Sequence, residues 1–201
     1  MGIELTIVPF YSTIEEEPLE KVAEIMKREL TRYNQVTISN HVSSIEDEYS
    51  EIFTKNGPEF FRDMDGFMTV KVSGSPALFD YITAHYSTHA LVFSDYPLVG
   101  LLKEIDAACS KDAPIAFVNI KRFRDDDSGT FIKRISALGL HELGHENGLQ
   151  HHSTMVDNQF CPMFSPNLLA KPETWRKLEY VDSIGTVYCP KCKAEVGSSA
   201  L

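Results

Sequence analysis

His141-Glu142-Leu143-Gly144-His145-Glu146-Asn147-Gly148-Leu149-Gln150-His151 is the stretch on which the reading of this chain turns. On a helix, His141 and His145 are four steps of about 100° apart, so they point almost the same way one turn apart. Two ligands of one ion need that arrangement, and Glu142 falls in the same wedge. Two imidazoles on a rigid helix do not complete a zinc site, so a third ligand has to come from where the chain turns back. Gly148 supplies the turn, because a residue without a Cβ takes the left-handed conformation that ends a helix. His151 then arrives as the third ligand. The spacing is HExxHxxGxxH, and a merely solvated helix face would require none of these separations. Three histidines leave the fourth zinc position to water, which distinguishes a catalytic site from a closed structural one. Water on zinc is a source of hydroxide near neutral pH, and Glu142 is placed to take its proton and pass it to a leaving amine. Peptide-bond hydrolysis is the reaction class this implies.

Working outward, Asp127 or Ser128 caps a helix beginning near Thr130, with Phe131, Ile132, Ile135, Leu138 and Leu143 as its apolar face. Ile115–Ile120 precedes it as a strand. At the other end of the chain, Ile3–Val8 reads as a strand and Pro18–Arg32 as an amphipathic helix striped by Leu19, Val22, Ile25, Met26 and Leu30. Val36–Val42 is the next strand. Strand, helix, strand in so short a span implies a crossover between parallel strands. Phe67–Val72 and Leu91–Phe93 read as short strands, while Ser43–Gly66 has no clear period. Val99–Ala108 supports two readings: a helix through Leu101, Leu102, Ile105 and Cys109, or an edge strand before a turn at Ser110–Pro114. No repeat or linker divides the chain, so a single domain over 1–201 is expected. Residues 1–151 would carry the sheet and active-site helix, and 152–201 a small C-terminal subdomain.

Composition narrows the partners. A formal net charge of -10 would repel a phosphate backbone or an anionic lipid surface, which argues against nucleic acid. No apolar run approaches the ~20 residues needed to cross a bilayer. Met1–Phe10 has no basic start or cleavage site, and Glu4 interrupts its apolar run, so a cytoplasmic location is expected. In that compartment Cys109, Cys161, Cys189 and Cys192 read as metal ligands or core thiols, not disulfides.

Cys189-Pro190-Lys191-Cys192 has the CxxC spacing of a zinc knuckle, and Cys161 is the natural third ligand. The fourth is His152 or Cys109, with Cys109 better suited to a buried thiol. A redox CxxC normally opens a helix after a strand, whereas this one precedes a short tail. Met163, in Cys161-Pro162-Met163-Phe164, resembles the Met-turn that underlies the metal site of metzincins.

Taken together, His141 to His151, Cys161-x-Met163 and Cys189-x-x-Cys192 resemble the archaemetzincins, a family of metzincin-like zinc peptidases. The resemblance covers roughly the last third of the chain. It implies an α/β (α+β) fold: a twisted mixed sheet with one antiparallel edge strand, backing helices, a zinc-binding active-site helix and a C-terminal subdomain stapled by zinc. By the same analogy Val99–Ile105 would be that edge, and a peptide substrate would pair with it by strand addition. The family also implies two Zn2+ per chain, one catalytic and one held by four cysteines. Here His152 stands where the first of those cysteines is expected, and Cys161 follows after a small insertion within Ser153–Gln159.

Other polar clusters have plainer readings. His85 and His89 lack an accompanying Glu and read as structural or exposed, as does His41. Asp125, Asp126 and Asp127 read as a solvated helix cap. Two functional classes follow: a zinc peptidase with Glu142 as general base, cutting internally or at the amino end, and a catalytically silent zinc protein that acts by binding.

Overall fold

The computed structural model describes residues 3–10, 12–42, 82, 84–86, 89–95, 98–100, 103–105, 107–109, 114–164 and 178–198. The expected strand at Phe67–Val72 and the unpatterned Ser43–Gly66 lie outside them.

The amino-terminal half begins with β1 (Ile3–Pro9), α1 (Glu16–Glu29) and β2 (Tyr33–Ile38). Helix α1 starts before Pro18, with Glu16 and Glu17 in its first turn and Lys27 and Arg28 in its last, each matched to the helix dipole. Its Leu19, Val22 and Met26 are buried. Strands β1 and β2 pair in parallel, as the crossover reading requires. Then come β3 (His89–Ser94), β4 (Leu98–Gly100), β5 (Lys103–Ile105), β6 (Ala107–Cys109) and β7 (Ile115–Asn119).

Five strands form the main sheet in the order β2-β1-β3-β7-β6. The β1–β2, β1–β3 and β3–β7 pairs are parallel, and β6 runs antiparallel to β7 at the edge. Consecutive residues Leu5–Pro9 of β1 and all of β7 are buried, the pattern of interior parallel strands covered on both faces.

The edge lies elsewhere than expected. Strands β4 and β5 form a separate antiparallel pair, in which Leu98 pairs with Ile105 and Gly100 with Lys103. The strand paired to β7 is the next one, Ala107–Cys109. Strands of three residues are too short for apolar periodicity to separate a hairpin from one longer strand or a helix.

Helix α2 (Ser128–Glu146) packs against both β7 and β6. Asp127 caps it, its side chain accepting from the Gly129 and Thr130 amides at 3.1 Å each. Asp126 has a different role from the solvated one expected, pairing with buried Arg134 at 2.8 Å while Arg134 also grips Asp182. Beyond α2 lie β8 (Met155–Val156), β9 (Gln159–Phe160), α3 (Leu178–Ser183) and α4 (Pro190–Ser198). The tail after Cys189 is thus a helix, with Val196 buried at 0% exposure. One hydrophobic core runs from Leu5 and Met26 through Leu143 to Met163, Tyr188 and Val196.

Candidate functional site

Helix α2 is buried along almost its whole length from Phe131 to Gly144, so its polar residues stand out against an apolar wall. His141 and Glu142 are 5% and 7% exposed. The helix ends as its sequence predicts. Gly148 has φ +81°, its amide donates to His145 O at 2.9 Å, and the Leu149 amide donates to Gly144 O at 2.9 Å. That pair of bonds is a Schellman cap, and it reverses the chain toward His151.

The three histidines converge through their Nε2 atoms. His145 Nε2 lies 3.2 Å from His141 Nε2 and 2.9 Å from His151 Nε2, and the third side of the triangle is 3.3 Å. Two of the rings are oriented from behind. His141 Nδ1 lies 2.6 Å from Pro162 O, and His145 Nδ1 lies 3.1 Å from Leu149 O. A carbonyl only accepts, so each Nδ1 carries the proton and each Nε2 presents a lone pair. Lone pairs aimed at one another repel unless a cation lies between them. An ion about 2.0–2.1 Å from each nitrogen at tetrahedral angles separates them by about 3.3–3.4 Å, close to the triangle seen. Burial lowers the pKa of His141 to about 3 and that of His151 to about 4, and lowers that of His145 as well. The rings are therefore neutral, the state a ligand needs.

Glu142, one residue along the helix from His141, has its carboxyl pushed up to about 8 by burial. A proton affinity near neutral suits a group that must both take and return a proton. Beneath the histidines lies Met163, at 0% exposure. A Cβ on Gly144 would collide with Met163 Sδ and come within 2.9 Å of Tyr188 Oη. Gly144 therefore permits the close approach of the turn below the site. Motif reading passes over this residue, although a glycine inside a helix costs up to about 1 kcal/mol and signals a packing need.

A second cluster lies beside the first. The ligand atoms of His152, Cys161, Cys189 and Cys192 all lie within 4.8 Å of one another, and Cys109 is not among them. His152 Nε2 is 3.0 Å from Cys192 Sγ and 3.7 Å from Cys189 Sγ, and Cys161 Sγ is 3.9 Å from Cys192 Sγ. Tetrahedral zinc with sulfur at about 2.3 Å separates two thiolates by about 3.8 Å, so the donor set fits. The contact with Cys192, followed by the Cys189 amide, lowers the pKa of Cys161 and favours its thiolate. The insertion after His152 is the β8–β9 hairpin, turned by Asp157 (φ 50°) and Asn158 (φ 64°). Positive φ at both central residues gives the tight two-residue turn that suits antiparallel strands. Extra residues are thereby taken up without parting the ends, and the Cys161 amide still donates to Thr154 O at 2.9 Å. Cys192 falls in the first turn of α4, so position relative to a helix does not exclude a redox role. The His152 and Cys161 donors at the same point are what favour a metal.

His85 and His41 are exposed, as expected. His89 is partly buried in a polar cluster, with Nδ1 3.3 Å from Tyr33 Oη and Nε2 3.5 Å from Arg32. The same cluster holds Asn147, which accepts from Arg32 and donates to Leu143 O at 2.6 Å, bracing the end of the histidine helix. No apolar helix long enough to cross a membrane occurs among the described residues.

No protein-family model and no curated protein sequence matches the chain. Solved structures do. The crystal structure of archaemetzincin from Methanopyrus kandleri is similar with a TM-score of 0.62 at 18% identity, over 98% of this chain and 94% of that one. A zinc-dependent peptidase from Methanocorpusculum labreanum gives a TM-score of 0.59 at 20% identity, over 97% of this chain and 100% of that one. The archaemetzincin of Archaeoglobus fulgidus, in complex with malonate, gives 0.57 at 16% identity, over 96% and 99%. Such end-to-end agreement at low identity is agreement of architecture: this chain has the fold of the archaemetzincins.

Proposed function

We propose that the protein is a zinc-dependent peptidase of the archaemetzincin family, acting on peptide or protein substrates in the cytoplasm. The observation that carries this reading is the triangle of His141, His145 and His151 Nε2 atoms, with Glu142 on the adjoining helix position. Those three nitrogens would hold one zinc ion, and His152, Cys161, Cys189 and Cys192 would hold a second. The first ion, when bound, supplies a Lewis acid that brings the pKa of water toward 7. Glu142 takes the proton of the attacking water and returns it to the departing amine nitrogen. Pro162 and Leu149 carbonyls keep the two helix imidazoles in the tautomer that faces the ion. The buried helix wall limits water around the reacting atoms, which strengthens every charge interaction there. The whole chain, 1–201, acts as one domain, a reading supported by the core shared between the sheet and the C-terminal subdomain.

Turnover of a broad peptide library by wild type and by Glu142→Gln tests the assignment. The amide cannot accept the proton, so the variant is expected to keep its zinc and lose at least about 10²-fold in rate. Equal turnover would refute the role of Glu142, and a zinc-loaded wild type that cleaves nothing would favour the silent binding protein. Including peptides with free and blocked amino ends separates aminopeptidase action from internal cleavage.

A further inference from the structure

Between the second and third histidines of the triangle lies a helix end, and helix ends fray where their last carbonyls lack partners. Asn147, which the zinc motif leaves unspecified, closes this one and is 7% exposed. Its backbone amide donates to Leu143 O and Gly144 O at 3.1 Å each, and its side-chain Nδ2 donates to Leu143 O at 2.6 Å. Oδ1, the other end of the same side chain, accepts from Arg32 Nη1. Arg32 lies in the turn between α1 and β2 and is itself held. Its guanidinium sits 5.4 Å over the Tyr33 ring, and Nη2 is 3.5 Å from His89 Nε2. Tyr33 opens β2 and His89 opens β3, so the brace on the helix end stands on the sheet.

The third imidazole is the one that needs such a brace. His141 and His145 each have a carbonyl behind Nδ1, whereas among the described residues His151 is met only at Nε2, by the other two rings. Its place is set by the backbone that carries it. After His151, the His152 amide is fastened to Met163 O at 3.1 Å. Before it comes Gly148, where a Cβ would meet nothing within 4 Å, so packing does not hold the turn. Hydrogen bonds at the helix end must do so.

We propose that Asn147 is a positioning residue for the histidine triangle, locked by Arg32, and that this pair fixes the helix end from which the chain turns to bring His151 onto His141 and His145. A ligand already in place does not have to be ordered when the ion binds, so the pair strengthens metal binding without touching the metal. The proposal rests on the zinc reading of the triangle.

Release of zinc from the full-length protein to a graded chelator tests it, with the ions counted at each step. His145→Ala identifies the step that belongs to the triangle. Asn147→Ala is expected to weaken that step about 10- to 100-fold, the usual effect of removing an outer partner of a metal ligand, and to leave the other step unchanged. Arg32→Met keeps the aliphatic stem but removes the donor, and is expected to weaken the same step. Arg32→Lys restores a charged donor and should recover most of that loss. An Asn147→Ala protein that releases zinc as wild type does, or that weakens both steps alike, overturns the proposal. So does an Arg32→Met protein that matches wild type, or an Arg32→Lys protein no better than Arg32→Met. If circular dichroism shows Asn147→Ala to be unfolded, the Arg32 pair decides. A folded wild type with no release step that His145→Ala removes marks failure of the zinc reading itself, and the positioning role falls with it.

Discussion

His141, His145 and His151 illustrate how single atoms acquire a function from their neighbours. Each ring is neutral because burial disfavours its charged form, and for His141 and His145 the free nitrogen is chosen by a carbonyl on the opposite side. The same dependence holds for Gly144. Alanine is the better helix former by about 1 kcal/mol, so propensity alone would make Gly144→Ala stabilising. The added Cβ would collide with the buried Met163 Sδ, however, and overpacking of this kind costs about 1–3 kcal/mol. The steric term is the larger, since Met163 is fully buried and Tyr188 Oη approaches from the same side. Gly144→Ala is expected to lower stability by up to about 2 kcal/mol net, measured by urea denaturation. A variant as stable as wild type would mean that the turn moves aside freely.

At the scale of elements, the segment after α2 holds both donor sets apart yet close. His151 and His152 are adjacent and serve different clusters, because successive side chains of an extended segment point to opposite sides. Zinc counting checks the division. Wild type should carry near two ions per chain, His145→Ala should lose the first, and His152→Ala should lose part or all of the second. Cys109→Ala should lose neither, and loss of zinc from it with retention in His152→Ala would reverse the assignment.

The C-terminal element is also secured from the other end of the chain. Glu29, at the end of α1 and 1% exposed, accepts from the Tyr188 amide at 2.9 Å, Arg28 Nε at 2.7 Å and Lys193 Nζ at 3.2 Å. Arg28 and Lys193 are about half exposed and can return to water if the carboxylate is removed. The buried Tyr188 amide cannot. Glu29→Ala is therefore expected to cost about 1.5–3 kcal/mol, the value of a hydrogen bond to a charged group, not that of a fully buried ion pair. Thermal unfolding monitored by circular dichroism reads this directly, and a shift smaller than that of an exposed control such as Glu24→Ala would remove Glu29 from the latch.

Over the whole molecule, buried ionisable groups set the response to acid. Burial, then the charge of Arg32, lowers the pKa of His89 to about 4. The unfolded chain binds that proton near the ordinary histidine value of about 6.5. Between these values the unfolded state holds more protons than the folded one, so stability falls as the pH drops through the window and levels off below it. The loss attributable to His89 is at most about 3 kcal/mol. Protonation of His141, His145 and His151, whose pKa values burial lowers, also weakens the protein in acid, but that contribution is shared by wild type and His89→Gln. The difference in unfolding free energy between the two proteins should therefore grow from pH 7 to 4.5 in favour of the variant. A difference independent of pH would mean that His89 titrates normally.

Periodicity and spacing determined a good deal by themselves. The stripe of α1, the parallel β1–β2 pair, the buried β7 and the Gly148 turn are local or nearly local properties, recoverable because period and turn chemistry act over a few residues. The histidine motif is likewise local in its first two ligands. Tertiary structure decided what depends on distant segments meeting. Which strand forms the antiparallel edge was decided by pairing with β7, since the runs at 98–100, 103–105 and 107–109 are too short to declare a partner. Asp126 became an ion-pair partner only because Arg134 and Asp182 come to the same point. His152, and not Cys109, joined the three cysteines because a hairpin absorbed the intervening residues while Cys109 was carried into the sheet as part of the edge strand paired with β7. A side chain's type is fixed where it stands in the chain, but its partner is chosen by how the backbone satisfies its own hydrogen bonds and buries its apolar faces.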